Sequence, residues 1–129
     1  MSVEDWLSRE VRKITQFLMN LLSKATEITT SNKEESVTII TNKLEEELGI
    51  SLEEVCNMDK MLLITTLKRR NFGLQHIELL GDVLAELYFK NATLQNIYQK
   101  ANELYAYVQS NATTYSIELN QKIERLNNK

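Results

Sequence analysis

The stretch VEDWLSREVRKITQFLMNLLSKATEI, Val3 to Ile28, decides the fold. Leu7, Val11, Ile14, Leu18, Leu21, Ala25 and Ile28 recur at alternating steps of four and three, the repeat of a helix with one long apolar seam. Arg9, Arg12, Lys13, Gln16 and Ser23 fall on the outer face, and Phe17 and Leu22 flank the seam and widen it. A two-stranded coiled coil carries charges at those flanks, so the wider face points to a helix packed within a bundle. Ser2 stands at the N-cap position, and Asp5 lies in the first turn, where a carboxylate meets the positive end of the helix.

The same periodicity continues along a chain with no proline. Thr29 to Asn32 is a polar break, and Ser31 with Glu34 reads as a capping box. A second helix then turns Val37, Ile40, Leu44 and Leu48 inward and stops at Gly49. Ser51 with Glu54 opens a short helix through Leu52, Val55 and Cys56. Asp59 caps the next, through Met61, Leu62, Ile64 and Leu67, which Lys68, Arg69 and Arg70 close. After a turn at Asn71 to Gly73, a broad apolar face runs from Leu74 to Phe89. Thr93 stands as the cap of a successor carrying Leu94, Ile97, Tyr98, Ala101, Leu104, Tyr105 and Val108. From Leu94 to Asn127 the spacing fits one helix or two, and the stretch from Tyr115 to Leu126 is the thinnest amphipath. No segment sustains the two-residue alternation of a strand. The expected fold is all-α, a compact bundle of five to seven amphipathic helices in one domain.

Composition narrows the class. The chain has 129 residues, 43% hydrophobic and 26% charged, with a net charge of −3. This length supports a core without disulfide or metal. The acidic balance argues against nucleic acid, no apolar run reaches the roughly 20 residues needed to cross a bilayer, and the N-terminus does not read as a signal peptide. A single cysteine, Cys56, fits a reducing cytoplasm.

Residues 74 to 108 span about one tetratricopeptide unit, with Leu80-Gly81, Leu84, Tyr98, Ala101 and Leu104 at suggestive places. The spacing from Gly81 to Ala101 is one residue too long, and Leu94 stands where the repeat favours alanine. Together with Asp5-Trp6-Leu7 and Arg9, Leu48-Gly49 before Leu52 and Val55, and Ala101 to Val108 leading into Thr114-Tyr115-Ser116, the chain resembles a family of small all-helical bacterial proteins of unknown function with a tetratricopeptide-like C-terminal part. The resemblance implies a fold and a bacterial origin, and no activity.

No catalytic, metal or cofactor constellation emerges. His76, the single histidine, has no partner at ligand spacing. Cys56 reads as a buried thiol, with Lys60 the nearest cation in sequence. Lys68-Arg69-Arg70 and Glu45-Glu46-Glu47 read as solvated helix surface. The three glycines are too dispersed for a phosphate loop. Two acceptor-like triplets, Asn91-Ala92-Thr93 and Asn111-Ala112-Thr113, sit at helix boundaries. Trp6, one residue off the seam, is either packed on a neighbouring helix or an anchor for a partner. Phe89 and Tyr107 fall beside the apolar faces of their helices, as core or as groove lining. The candidate partner contacts are therefore Trp6, Phe17, Leu22, Phe89 and Tyr107.

The leading expectation is a non-enzymatic module that binds a protein or peptide, with no cofactor. A homodimer would cover the part of the first seam, extended by Phe17 and Leu22, that shorter helices leave open; alternatively, two shorter helices stacked end to end cover that seam within one monomer. The alternative is a nucleic-acid-associated regulator using Arg9, Arg12, Lys13 and Lys68 to Arg70. In a helix-turn-helix reading of residues 60 to 89, the second helix would carry Glu78, Asp82 and Glu86 towards phosphates.

Overall fold

The computed structural model describes the backbone of residues 3–128 and the side chains of residues 5–128. The expected cap at Ser2 lies outside them. Seven helices follow in order: α1 Val3–Thr26, α2 Lys33–Leu48, α3 Leu52–Asn57, α4 Lys60–Arg69, α5 Leu74–Phe89, α6 Ile97–Asn111 and α7 Ile117–Asn127, with no strand among the described residues. Buried apolar side chains from every helix join in one cluster.

Helix α5 is the centre. His76, Ile77, Leu80, Gly81, Val83, Leu84, Ala85 and Leu87, half of its 16 residues, are buried. Helix α6 runs antiparallel to it, with Tyr105 beside Asp82 and Tyr98 beside Tyr88. Gly81 makes the approach possible, because a Cβ there would stand 2.8 Å from the Tyr105 ring. Helix α1 runs in the same direction as α5: Thr15 meets His76, and the Lys90 amine reaches the Thr26 and Ile28 carbonyls at 2.9 and 3.4 Å. That lysine places a cation on the negative end of α1.

Lengths then fix what α1 leaves bare. Its 24 residues extend about 36 Å, whereas the 16 of α5 and the 16 of α2 extend about 24 Å each, at 1.5 Å per residue. Lys90 holds the C-terminal ends of α1 and α5 level, so the excess falls at the N-terminus of α1. The seam is accordingly buried from Ile14 through Leu18, Leu21 and Ala25 to Ile28, while Leu7 and Val11 remain 44% and 37% exposed. The open part of the seam is thus its first two turns. Phe17 and Leu22, expected to extend it, are partly buried against the core.

Several boundaries follow the expected chemistry. Gly49 adopts φ 72° and its N–H donates to the Glu45 carbonyl. Ser51 and Glu54 form the reciprocal capping box at 3.0 and 3.1 Å. The Asp59 carboxylate accepts from the N–H groups of Met61 and Leu62.

Three boundaries depart from expectation. The Ser31–Glu34 box does not form; the Ser31 hydroxyl turns to Thr29 at 3.1 Å. The Asn32 side chain accepts from the Thr29 N–H at 2.7 Å, so α2 starts only at Lys33. Thr93 caps nothing. The segment before α6 instead turns through Asn91 and Asn96, both at positive φ, a conformation asparagine tolerates better than most residues. Between α6 and α7 the backbone is extended at Ala112, and the Ser116 hydroxyl accepts from the Leu119 N–H at 3.1 Å. Residues 94–127 therefore hold two helical segments that begin at Ile97 and Ile117. Tyr115, whose spacing suited a continuing seam, is 74% exposed.

Leu18→Ala or Leu84→Ala should lower the unfolding free energy by about 2–5 kcal/mol, since both side chains are wholly enclosed and truncation leaves a cavity. Asn20→Ala, whose side chain only accepts from Gln16 on the exposed side of α1, should stay within about half a kcal/mol of wild type. Urea melts of the three variants test the assignment of faces; equal costs on both faces would contradict it.

Candidate functional site

The titratable side chains with chemical potential are bound into the architecture. His76 is fully buried near the start of α5. Its Nδ1 accepts from the Gly73 N–H at 2.9 Å, so the ring proton resides on Nε2, which donates to the Val11 carbonyl at 3.1 Å with the Thr15 hydroxyl also 3.1 Å away. His76 thereby pins α1 to α5. Burial lowers its pKa, against a smaller opposing effect of the bond to Val11. The sign follows: the folded state keeps the ring neutral, while the unfolded chain takes up a proton near the ordinary value of about 6.5. Stability is complete above that value and declines as pH falls below it. Urea midpoints should therefore drop between pH 7.5 and 5.5, and His76→Gln should remove much of that drop. Identical pH dependence in the two proteins would refute this role.

Cys56 is buried and unpaired to any other cysteine. Burial pushes its thiol up to about 12, with Lys100 pulling weakly the other way. The nearby charge comes from α6, not from Lys60, the candidate in sequence. The Lys100 amine is itself buried, donating to the Met58 carbonyl and paired with Glu103 at 3.1 Å. Because the thiolate is the reactive form, a disulfide reagent at pH 8 should modify native Cys56 at least about a hundredfold more slowly than the denatured chain. Comparable rates would show that the site opens readily.

The acidic row of α5 faces α7. The Lys122 amine binds Glu78 at 2.5 Å and Asp82 at 3.0 Å, and Arg125 binds Glu86 at 2.9 Å. The Tyr105 hydroxyl donates to Asp82 at 2.7 Å. Burial raises the Asp82 pKa, partly offset by its bonds to Tyr105 and Lys122. Burial also raises that of Tyr105, reinforced by the neighbouring Asp82. For Lys122 burial acts downward, but the two carboxylates outweigh it and its pKa is raised. Each group serves another in the set. Helix α5, the recognition helix of the helix-turn-helix reading, is thus covered by α1, α6 and α7, and its acidic face is occupied. Among the basic residues, Lys68 lies 5.4 Å over the Tyr107 ring, and the Arg70 guanidinium caps α2 through the Glu47 and Leu48 carbonyls. Among the described residues no group of three His, Cys, Asp or Glu side chains is placed to hold a metal.

The five candidate contact residues separate. Tyr107 is only 9% exposed and belongs to the core. Leu22 and Phe89 come together in a cleft of about 230 Å³ with Asp82, Glu86, Lys122 and Arg125. The Arg125 guanidinium lies 4.2 Å over the Phe89 ring and covers it. Trp6 is 46% exposed. Phe17 lines a second cleft of about 270 Å³, whose walls include Glu10, Lys13, Ile14, Leu48, Arg70 and Phe72.

Trp6 and that second cleft share one stripe of α1. Trp6, Glu10, Lys13 and Phe17 follow at steps of four, three and four, one helical face, displaced to one side of the core seam. The stripe spans about 16 Å. Its N-terminal end is the exposed tryptophan beside Leu7, and its other end is the phenylalanine in the cleft. The sequence reading picked out the two aromatic ends singly and missed Glu10 and the cleft. The period of the stripe was readable; the contribution of Phe72 and Leu48 was not, because it depends on how α2 and α4 return to α1.

Compared with known proteins, the chain matches no family, no curated protein and no solved structure. Among the described residues no helix is long and apolar enough to cross a membrane.

Proposed function

We propose that this chain is a non-catalytic, cytoplasmic protein-interaction module: a helical scaffold with α5–α6 as a tetratricopeptide-like hairpin at its centre and the N-terminal part of α1 as its docking face. One observation carries the reading. Leu7 and Val11 stand exposed at the end of a seam that is otherwise covered, with Trp6 exposed one residue to its side, and the face continues into a cleft lined by Ile14, Phe17 and Phe72. Solitary exposed apolar residues are ordinary, but a contiguous set containing a tryptophan is the usual composition of an interaction hot spot. The cleft is smaller than a typical pocket for a drug-sized ligand, which suits one side chain of a macromolecular partner. His76, Asp82, Tyr105, Lys90, Lys100 and Lys122 are committed to bonds between helices and turns, which supports a scaffold over an enzyme. The burial of α5 counts against a nucleic-acid reader.

Trp6 is the only tryptophan, so the docking face has its own reporter. Peptides selected against the protein from a library of amphipathic helices should shift Trp6 emission to the blue and lose at least about tenfold in affinity on Trp6→Ser, the scale of a hot-spot truncation. A selection that yields no binders, or only binders indifferent to Trp6, would overturn the reading.

A further inference from the structure

We infer that the occupant of this docking face is a second copy of the chain, seated as an antiparallel α1–α1 pair whose two-fold axis crosses the helix between Val11 and Arg12. The inference rests on the reading of the Trp6 face as a docking surface and names its partner.

The stripe of α1 is complementary to itself in one orientation. Turned antiparallel about that axis, Trp6 of one copy meets Phe17 of the second, and Glu10 meets Lys13 of the second. The symmetry repeats both contacts, so one interface holds two aromatic pairs and two opposite-charge pairs. A two-fold interface requires a patch that matches itself in this way. In the isolated chain neither Glu10 nor Lys13 makes an ion pair among the described residues. A parallel pairing in register would instead set Glu10 near Glu10 and Lys13 near Lys13, and is disfavoured by repulsion.

The cleft fits the incoming residue. In the antiparallel register, Trp6 of the second copy arrives over Phe17, where the cleft of about 270 Å³ opens between α1, the end of α2 and the α4–α5 turn. Its floor is apolar, from Ile14, Phe17, Leu48 and Phe72, and the Arg69 and Arg70 side chains stand on its wall, where a guanidinium can lie against an indole. The overhang supplies the reach: α1 outruns α5 and α2 by eight residues, or about 12 Å, so the Trp6 end of the stripe projects beyond its own bundle.

The contact is limited to about three helical turns from each copy. A contact of so few turns belongs with the small, transient interfaces, so the dimer is a weak one.

Sedimentation over a concentration series tests the pairing. The wild-type mass should rise from the 15.0 kDa of the chain towards twice that value over tens to hundreds of micromolar. Glu10→Lys and Lys13→Glu should each weaken association at least tenfold, because each replaces two attractions with two repulsions. An equimolar mixture of the two variants should associate again, since one then carries only cations on the stripe and the other only carboxylates. The double variant should recover self-association by the same logic. Trp6→Ala should be monomeric with unchanged far-ultraviolet circular dichroism. Wild-type protein that stays monomeric throughout, association indifferent to the charge reversals, or failure of the mixture to recover would each overturn the inference. If the wild type is monomeric while selected peptides still shift Trp6 emission, the docking face stands and its partner is a different protein. If both fail, the docking face falls as well.

Discussion

The contact between Gly81 and the Tyr105 ring sets the geometry on which the other helices depend. A side chain at position 81 would begin 2.8 Å from the ring, so any larger residue there must displace Tyr105. With glycine in place, α6 lies close on α5 and the Tyr105 hydroxyl reaches Asp82. That carboxylate would otherwise be poorly solvated, and with Glu78 it gives α7 its anchor through Lys122. The remaining side of α5 is left to α1, with His76 tying the two at the N-terminal end and Lys90 at the C-terminal end. One missing Cβ therefore propagates through a hydroxyl, a carboxylate and an amine to the last helix of the chain.

Helix α7 shows how small terms suffice once that frame exists. It buries only Leu119 and Leu126, and its basic side chains are partly exposed, so each ion pair contributes little, about 0–1 kcal/mol. Orientation is what these pairs add. Lys122 bridges two carboxylates one turn apart on α5, and Arg125 holds a third while covering Phe89. The thinnest amphipath of the sequence is thereby fixed in rotation as well as in place. The same pairing silences Glu78, Asp82 and Glu86 as surface charge.

What could be read from the sequence was whatever one helix decides alone. The seam of α1, the glycine stop at Gly49, the box at Ser51 and Glu54 and the cap at Asp59 are local effects with local residues, and they appear in the fold as expected. The failures arose where several residues compete for the same bond. Ser31 and Asn32 both stand next to Thr29, and Asn32 takes its N–H, which moves the start of α2. At residues 91–96, two asparagines in left-handed conformation turn the chain where Thr93 offered a cap of ordinary kind. His76 was seen as chemically isolated because its partners, Val11 and Thr15, lie over sixty residues away. Of the candidate site, Trp6 and Phe17 were visible as aromatic residues beside a seam. Tyr107 was equally visible, yet it is enclosed, because spacing gives the face of a helix and not what arrives to cover it.

Helix length explains why the uncovered surface lies where it does. A seam on a long helix can be closed within one molecule if shorter helices stack along its full length. Here α2 and α5 both lie along the C-terminal two-thirds of α1, each 16 residues to its 24, and the Lys90 cap prevents α5 from sliding towards the N-terminus without exposing the carbonyls of Thr26 and Ile28. Moving the bundle along α1 to bury Leu7 and Val11 would uncover Ala25 and Ile28 in exchange, with the loss of a charge-assisted bond. The exposed turns are thus a fixed consequence of the packing.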